Sequence, residues 1–192
     1  MADTLLMLLL ANFAAIGLLP ILFFRRDGTL NLRWMLTAAP FFAVPLLLVL
    51  GRLGALQPLA TTGGLLRTLP LVAVLLAAGS IALLAATVAT HRVPLALWHQ
   101  DNDAPVELVT WGPYAHMRHP FYTSFLLALV AAALALPHAT TFASLAYAFV
   151  ALTLTARREE RRLACSELSD DYLRYVRTTG RFFPLIGLRP TR

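Results

Sequence analysis

The sequence predicts an all-α, polytopic membrane protein: a bundle of about five transmembrane helices with a C-terminal helical hairpin and a short cytoplasmic helical tail. Of the 192 residues, 58% are hydrophobic and 14% are charged, and an average soluble domain carries about 25% charged residues. Apolar runs recur along the chain, and arginines flank them. Together these features are typical of a chain that crosses a membrane several times.

The apolar runs lie at residues 4–24, 36–50, 69–89 and 121–155. The first has no basic segment before it and no small-residue cleavage site, so we expect a retained helix rather than a signal peptide. In the last run only Pro137 and His138 interrupt 35 residues, which predicts the tip of a helical hairpin. Each limb then has 16 or 17 apolar residues, which is short for a bilayer core of about 30 Å.

The arginines predict the topology. All 16 basic residues are arginine. With the amino terminus outside and five crossings, fourteen arginines lie inside and only Arg52 and Arg67 lie outside. This split follows the positive-inside rule and predicts a multi-pass protein, in the bacterial inner membrane, with a cytoplasmic C-terminus.

After the hairpin, the polar tail is expected to form two short helices. The first runs from residue 156 to about 167, and the second begins with Ser169 as N-cap and ends near Gly180. We treat residues 1–192 as one integral membrane domain, with three transmembrane helices in residues 1–90. Residues 91–192 then hold a polar loop, the hairpin and the tail.

The basic charge does not predict a nucleic-acid partner, because arginines beside apolar runs are explained by topology and by contacts with membrane lipids. The single Cys165 excludes an internal disulfide and is interpreted as a chance residue. The sequence makes no prediction of oligomeric state.

The stretch YAHMRHPFY, residues 114–122, carries the first candidate site. Pro120 suits the first turn of a helix, which places Arg118 and His119 at the amino-terminal mouth of that helix. Free backbone N–H groups and the helix dipole favour an anion there. Arg118 would add a clamp for a carboxylate or phosphate.

The stretch RREERR, residues 157–162, carries the second. It leaves the other limb of the hairpin on the same side, so Glu159 and Glu160 return towards the first stretch. A zwitterionic ligand would fit between them, with an arginine facing its carboxylate and a glutamate facing its ammonium. Tyr114 and Tyr122 could offer aromatic faces to a further positive charge.

Neighbouring helical residues point about 100° apart, so we expect only one of the two glutamates to face the ligand. Glu159 shares a helical face with Leu152 and Leu163, which favours Glu159 and leaves Glu160 to solvent or to the adjacent arginines. Each residue also has a simpler interpretation, as a topology determinant, an interface aromatic or a solvated helical ion pair.

The run LVTWGPYAHMRHPFYTS, residues 108–124, resembles the G-P-Y-x-x-x-R-H-P-x-Y segment of the isoprenylcysteine carboxyl methyltransferase and phospholipid N-methyltransferase group. The tail, residues 159–184, resembles that group's E-E-x-x-L, acidic-x-Tyr-x-x-Tyr and Arg-Phe-x-Pro ending. The chain has Ala115 where that group often has arginine, and Ser124 where glycine is frequent. The spacing from Glu159 to Tyr172 is also one residue longer than in that group, which leaves open whether Glu159 or Glu160 takes the place of the family's glutamate.

The resemblance implies an integral membrane enzyme that uses S-adenosylmethionine. It implies a cofactor site formed by these residues: Tyr114, Arg118, His119, Pro120, Tyr122, Glu159 and Glu160. The candidate catalytic residues are Arg118, Glu159 and His116, the last as a base if the acceptor is an amine. We expect a lipophilic or lipid-attached acceptor bearing a carboxylate, thiol or amine.

Two other functions stay open. His116 and His119 are spaced to share a metal, but membrane di-iron enzymes need many more histidines than this chain offers, so we predict no metal site. A non-catalytic transport or assembly protein is the other alternative, and Ala115 and Ser124 leave room for it.

Overall fold

A computed structural model gives the structure of the chain and describes residues 2–19, 24, 27–59, 65–90 and 108–185, with the side chains of 65–67 excepted. Within these ranges the chain forms six α-helices and a short 3-10 turn at Gly112–Ala115, without a named strand. The helices are α1 (Asp3–Gly17), α2 (Leu32–Arg52), α3 (Leu65–Thr90), α4 (Pro120–Ala135), α5 (Ala139–Ala164) and α6 (Ser169–Thr178). The predicted all-α helical membrane bundle is confirmed.

Five of the six helices are apolar, and they fall into two length classes. Three of them, α2, α3 and α5, are long and apolar enough to cross a membrane. The other two, α1 and α4, have 15 and 16 residues, and about 20 are needed for a full crossing.

The prediction that the first helix extends to residue 24 was wrong. The helix ends at Gly17, with Leu18 as its C-cap. Phe24 instead forms an isolated antiparallel bridge with Leu30, around a turn in which Gly28 has a φ of 81°. The stretch 20–23 lies outside the described residues.

The most extensive helix contact joins α3 to α4. Both helices carry small residues that are fully buried: Ala73, Ala77, Ala128, Ala131 and Ala132. Small side chains let helix backbones approach closely, which is the usual way that membrane helices associate.

The hairpin tip is where the sequence predicted it. Helix α4 ends at Ala135 and α5 begins at Ala139, with His138 as the N-cap whose ring accepts the backbone N–H of Thr140. Pro137 accepts the N–H of Leu59 at 2.7 Å, so the segment after α2 lies beside the tip. The C-terminal end of α2 is also tied to the start of α1 by an ion pair between Arg52 and Asp3 at 2.6 Å.

The predicted pair of short tail helices was wrong in its first member. Helix α5 continues without a break to Ala164, because no proline or glycine interrupts the sequence between residues 139 and 164. The second tail helix exists as α6, but its N-cap is Leu168, and the hydroxyl of Ser169 donates to the carbonyl of Ala164 at 2.8 Å. The predicted inner loop lies partly outside the described residues, at 91–107.

Candidate active site

A C-terminal strap, residues 179–183, lies along the entrance to α4. Gly180 forms a parallel bridge with Met117. The backbone N–H of Arg118 donates to the carbonyl of Gly180 at 2.8 Å, and that of His119 donates to Arg181 at 3.0 Å. The hydroxyl of Thr123 donates to Phe182 at 2.8 Å.

The strap occupies backbone N–H groups that were expected to be free at the entrance to α4. Helix α4 starts at Pro120, as predicted, and its N-cap is His119. Pro120 is fully buried. Carbonyls of the strap accept the N–H groups of Arg118 and His119, and proline has no N–H, so these three residues offer no free N–H group to an anion.

Glu160 is the centre of an ion cluster. Its Oε2 lies 2.6 Å from Nη2 of Arg181, and its Oε1 lies 3.0 Å from both Nε of Arg181 and Nε of Arg118. Nε2 of His119 is 3.3 Å from the same Oε1. Arg118 also donates through Nη1 to the carbonyl of Thr179. Helices α4 and α5 and the strap meet at this carboxylate.

Glu159 faces the same cluster from the adjacent position. The hydroxyl of Tyr122 donates to its Oε1 at 2.6 Å, and its Oε2 lies 3.5 Å from Nδ1 of His119. Leu152, Glu159 and Leu163 are all buried, so the predicted helical face is confirmed.

The expectation that only one glutamate faces inward was wrong. Glu160 turns towards Arg118 and Arg181 instead of towards solvent or the arginines beside it. The strap and the α4 entrance approach α5 from different directions, so two residues about 100° apart on the helix can both be enclosed.

His119 joins the two glutamates. Its ring stacks on Tyr122, with centroids 5.3 Å apart and planes 4° from parallel. Burial lowers the pKa of His119, and the charges of Arg118 and Arg181 add to that effect although Glu160 opposes it. A neutral imidazole has one N–H, so it donates to one glutamate, and its other nitrogen can accept only from a protonated carboxyl.

Tyr114 lies in the 3-10 turn that precedes Arg118, and its carbonyl accepts the hydroxyl of Tyr175 at 2.6 Å. Its side chain packs against the main hydrophobic core. Burial raises the pKa of Tyr114, so its phenol stays neutral. Its predicted contact with a cofactor stays a prediction.

His116 is the predicted site residue that the structure does not bring into the cluster. It is exposed at the end of the 3-10 turn. Among the described residues, no side-chain hydrogen bond, ion pair or ring contact joins it to the other candidates. Its role as a base stays a prediction without geometric support.

Two strap residues belong to the site although they were not predicted as site residues. Arg181 binds both oxygens of Glu160, and the buried ring of Phe182 packs edge-on against His119 at 6.1 Å. Both lie in the Arg-Phe-x-Pro ending, and this motif is the feature of the sequence that could have identified them as site residues. No local pattern indicates that this ending returns to the entrance of α4.

Comparison with known families identifies the family of this chain. A sequence profile of the isoprenylcysteine carboxyl methyltransferase (ICMT) family matches residues 69–165, about half of the chain. The matched range includes most of α3, the loop, the whole hairpin and both glutamates. A search of curated proteins and a search of solved structures each found no match. The chain is an integral membrane protein and belongs to the isoprenylcysteine carboxyl methyltransferase family.

Proposed function

We propose that this protein transfers a methyl group from S-adenosylmethionine to a lipophilic or membrane-embedded acceptor that bears a carboxylate, thiol or amine. The observation that carries the proposal is the buried cluster in which Arg118 and His119, from one end of the hairpin, contact Glu159 and Glu160, from the other. This cluster lies in a member of a methyltransferase family.

The side chains of the cluster fit the cofactor's charges. Arg118 uses two of its five N–H donors on Glu160 and Thr179, which leaves donor capacity for a carboxylate. Glu159 accepts one phenol hydrogen from Tyr122, and a carboxylate has about four acceptor positions, so it can also accept from an ammonium. When bound, S-adenosylmethionine supplies a methyl group on a positively charged sulfur.

The roles of the two glutamates differ in this proposal. Glu160 is held by Arg181 and Arg118 and fixes the positions of the strap and the guanidinium. Glu159 is more deeply enclosed and has spare acceptor capacity, so it orients the ligand. Burial also excludes water, which strengthens every electrostatic contact inside the site.

For an amine acceptor a proton must leave, and the Glu159–His119 contact is the place where the chain can hold one. Their atoms lie 3.5 Å apart, and burial favours the neutral ring of His119. With a carboxylate or thiolate acceptor no base is needed, and positioning supplies most of the catalysis.

The test begins with calorimetric binding of S-adenosylhomocysteine to the purified protein in detergent. We expect binding by the wild type and a loss of roughly 2–5 kcal/mol in Arg118→Ala, part of it from unpaired charge. Arg118→Lys should recover only part, because lysine lacks the planar fork. Arg174→Ala is the matched control, because Arg174 forms an exposed pair with Asp171. A wild type that does not bind the ligand would contradict the proposal.

Methyl transfer is then followed by mass spectrometry of the lipid phase, with methyl-labelled cofactor. Glu159→Gln should lower the rate roughly 10- to 100-fold through misplacement of the ligand. An active Glu159→Gln beside an inactive Glu160→Gln would reverse the roles assigned above. The product identifies the acceptor class.

We also propose that the active site faces the cytoplasm, with the protein in a bacterial inner membrane. The distribution of arginines between the two sides supports this orientation. The Arg52–Asp3 pair lies at the C-terminal end of α2, which is also the end of the bundle where the hairpin tip lies, opposite the ion cluster. A reporter fused after Arg192 that was accessible only from outside would contradict this orientation.

A further inference from the structure

Tyr172 on α6 presents a buried hydroxyl to the edge of the ion cluster. Its side chain is 3% exposed, and its ring packs with Leu163 and Tyr175. Among the described residues, no hydrogen-bond partner contacts its hydroxyl. By contrast, the neighbouring Tyr175 donates its hydroxyl to the carbonyl of Tyr114 at 2.6 Å.

A buried hydroxyl without a partner is costly and uncommon, so each case calls for a physical explanation. Burial raises the pKa of the Tyr172 phenol, and the charge of Glu160 acts in the same direction, while Arg118 and Arg181 oppose it. The phenol is therefore neutral and keeps its O–H donor. Its ring lies 6.4 Å from that of Tyr175, which bonds the carbonyl of Tyr114 in the turn that leads to Arg118.

An O–H donor beside arginines suits an oxygen acceptor that carries negative charge. Glu160 is the carboxylate whose charge acts on Tyr172, and it does not accept a hydrogen bond from the Tyr172 hydroxyl. Its oxygens are already bonded to Arg118, Arg181 and His119. Because no described residue accepts from the Tyr172 hydroxyl, its O–H is available to an acceptor on a bound ligand.

We infer that the Tyr172 hydroxyl donates a hydrogen bond to the carboxylate of the bound cofactor, beside Arg118. This inference rests on the proposed function, since it names a contact within the same site. It makes Tyr172 a binding residue, and α6 becomes part of the ligand site as well as a support for α5.

The test compares two probes, S-adenosylhomocysteine, which has the carboxylate, and methylthioadenosine, which lacks it. Tyr172→Phe should weaken S-adenosylhomocysteine roughly 10- to 100-fold, as expected for a hydrogen bond to a charged group, and leave methylthioadenosine unchanged. Tyr147→Phe is the matched control, since Tyr147 donates to the carbonyl of Leu36 far from the cluster along the chain. It should leave both affinities unchanged.

Ligand-free stability gives a second measurement. Removing an unpartnered buried hydroxyl while keeping the ring should leave the melting temperature unchanged or raise it. A lower melting temperature in Tyr172→Phe without ligand would show that the hydroxyl is bonded within the protein, and it would overturn the inference.

The remaining outcomes separate the two proposals. If the wild type fails to bind S-adenosylhomocysteine, both fall. If the wild type binds and Tyr172→Phe binds equally well, or loses affinity equally for both probes, the contact with the carboxylate is wrong while the proposed function stands.

Discussion

Two buried polar networks hold this bundle together, and they differ in chemistry. The first is neutral and joins α1, α3 and α4. Asn12 donates to the carbonyl of Ala77 at 3.2 Å, and the Ser80 hydroxyl lies 3.1 Å from Asn12 Oδ1 and 2.7 Å from the carbonyl of Ser124. Its three polar side chains are fully buried.

The second network is the ion cluster at the base of the hairpin, which contains two carboxylates, two guanidiniums and an imidazole. Neutral polar groups between membrane helices cost little and contribute modestly to packing. Buried charges are expensive unless every charge is matched. A network of this second kind is therefore easily broken by removing one member, and it is the one suited to binding a charged ligand.

The largest expected effect follows from breaking the ionic network at its centre. Glu160→Ala removes the carboxylate that binds Arg118 and Arg181 and leaves two cations close together. We expect a loss of about 3 kcal/mol in the free energy of unfolding, measured by denaturant titration in mild detergent. Glu167→Ala is the control, because Glu167 is exposed on the same segment, and its effect should be within about 0.5 kcal/mol.

The next effect concerns the strap that closes the ionic network. A Cβ at Gly180 would lie 1.7 Å from the carbonyl oxygen of Phe183, so Gly180→Ala must displace the strap and with it Arg181. We expect destabilisation by roughly 1–3 kcal/mol together with weaker binding of S-adenosylhomocysteine.

Gly79→Ala is the matched control for the strap variant, because a Cβ there meets nothing within 4 Å. In the interior of α3 it should stabilise by about 0.5–1 kcal/mol. Equal effects of the two alanines would show that the strap does not depend on the absence of a side chain at Gly180.

The two networks also differ in how far the sequence predicts them. The hairpin tip at Pro137 and His138 and the buried phase of Glu159 follow from local rules, namely a helix breaker and a helical period. These rules suffice to bring residues 114–122 and 157–162 to one side. Local patterns therefore predicted most of the members of the ionic site.

What local patterns could not predict was the path of the chain after α6. The pairing of Arg181 with Glu160 depends on a return of the strap to α4, which is a tertiary contact. The same return encloses Glu160 and removes the free N–H groups expected at Arg118 and His119. The neutral network around Asn12 was not predicted either, since a single asparagine in an apolar run gives no indication of its partner.

Breaking the neutral network should cost less. Asn12→Ala removes the amide that forms hydrogen bonds with Ala77 and Ser80. The Ser80 hydroxyl can still donate to the carbonyl of Ser124, so the variant leaves no buried charge unpaired and no hydroxyl without an acceptor. We expect a loss of about 1 kcal/mol in the free energy of unfolding, with methyl transfer per folded molecule unchanged. A larger fall in transfer than in folded protein would show that the neutral network also positions the active site.

The smallest expected effect is a dependence of stability on pH that the ionic network has and the neutral network lacks. Burial holds the pKa of His119 below its ordinary value of 6.5 in the folded protein, although Glu159 and Glu160 face its two nitrogens. Between the pKa of His119 in the folded protein and 6.5, the unfolded chain therefore binds more protons than the folded one. The contribution of His119 to the free energy of unfolding is complete above pH 6.5 and is lost as the pH falls through the folded pKa. The contribution of His119 is measured as the difference in unfolding free energy between wild type and His119→Gln, in mild detergent between about pH 5 and pH 8. This difference should decrease towards acid. If the wild type instead gained stability relative to His119→Gln on acidification, the ring would be protonated between its two glutamates, and attraction to the carboxylates would outweigh burial.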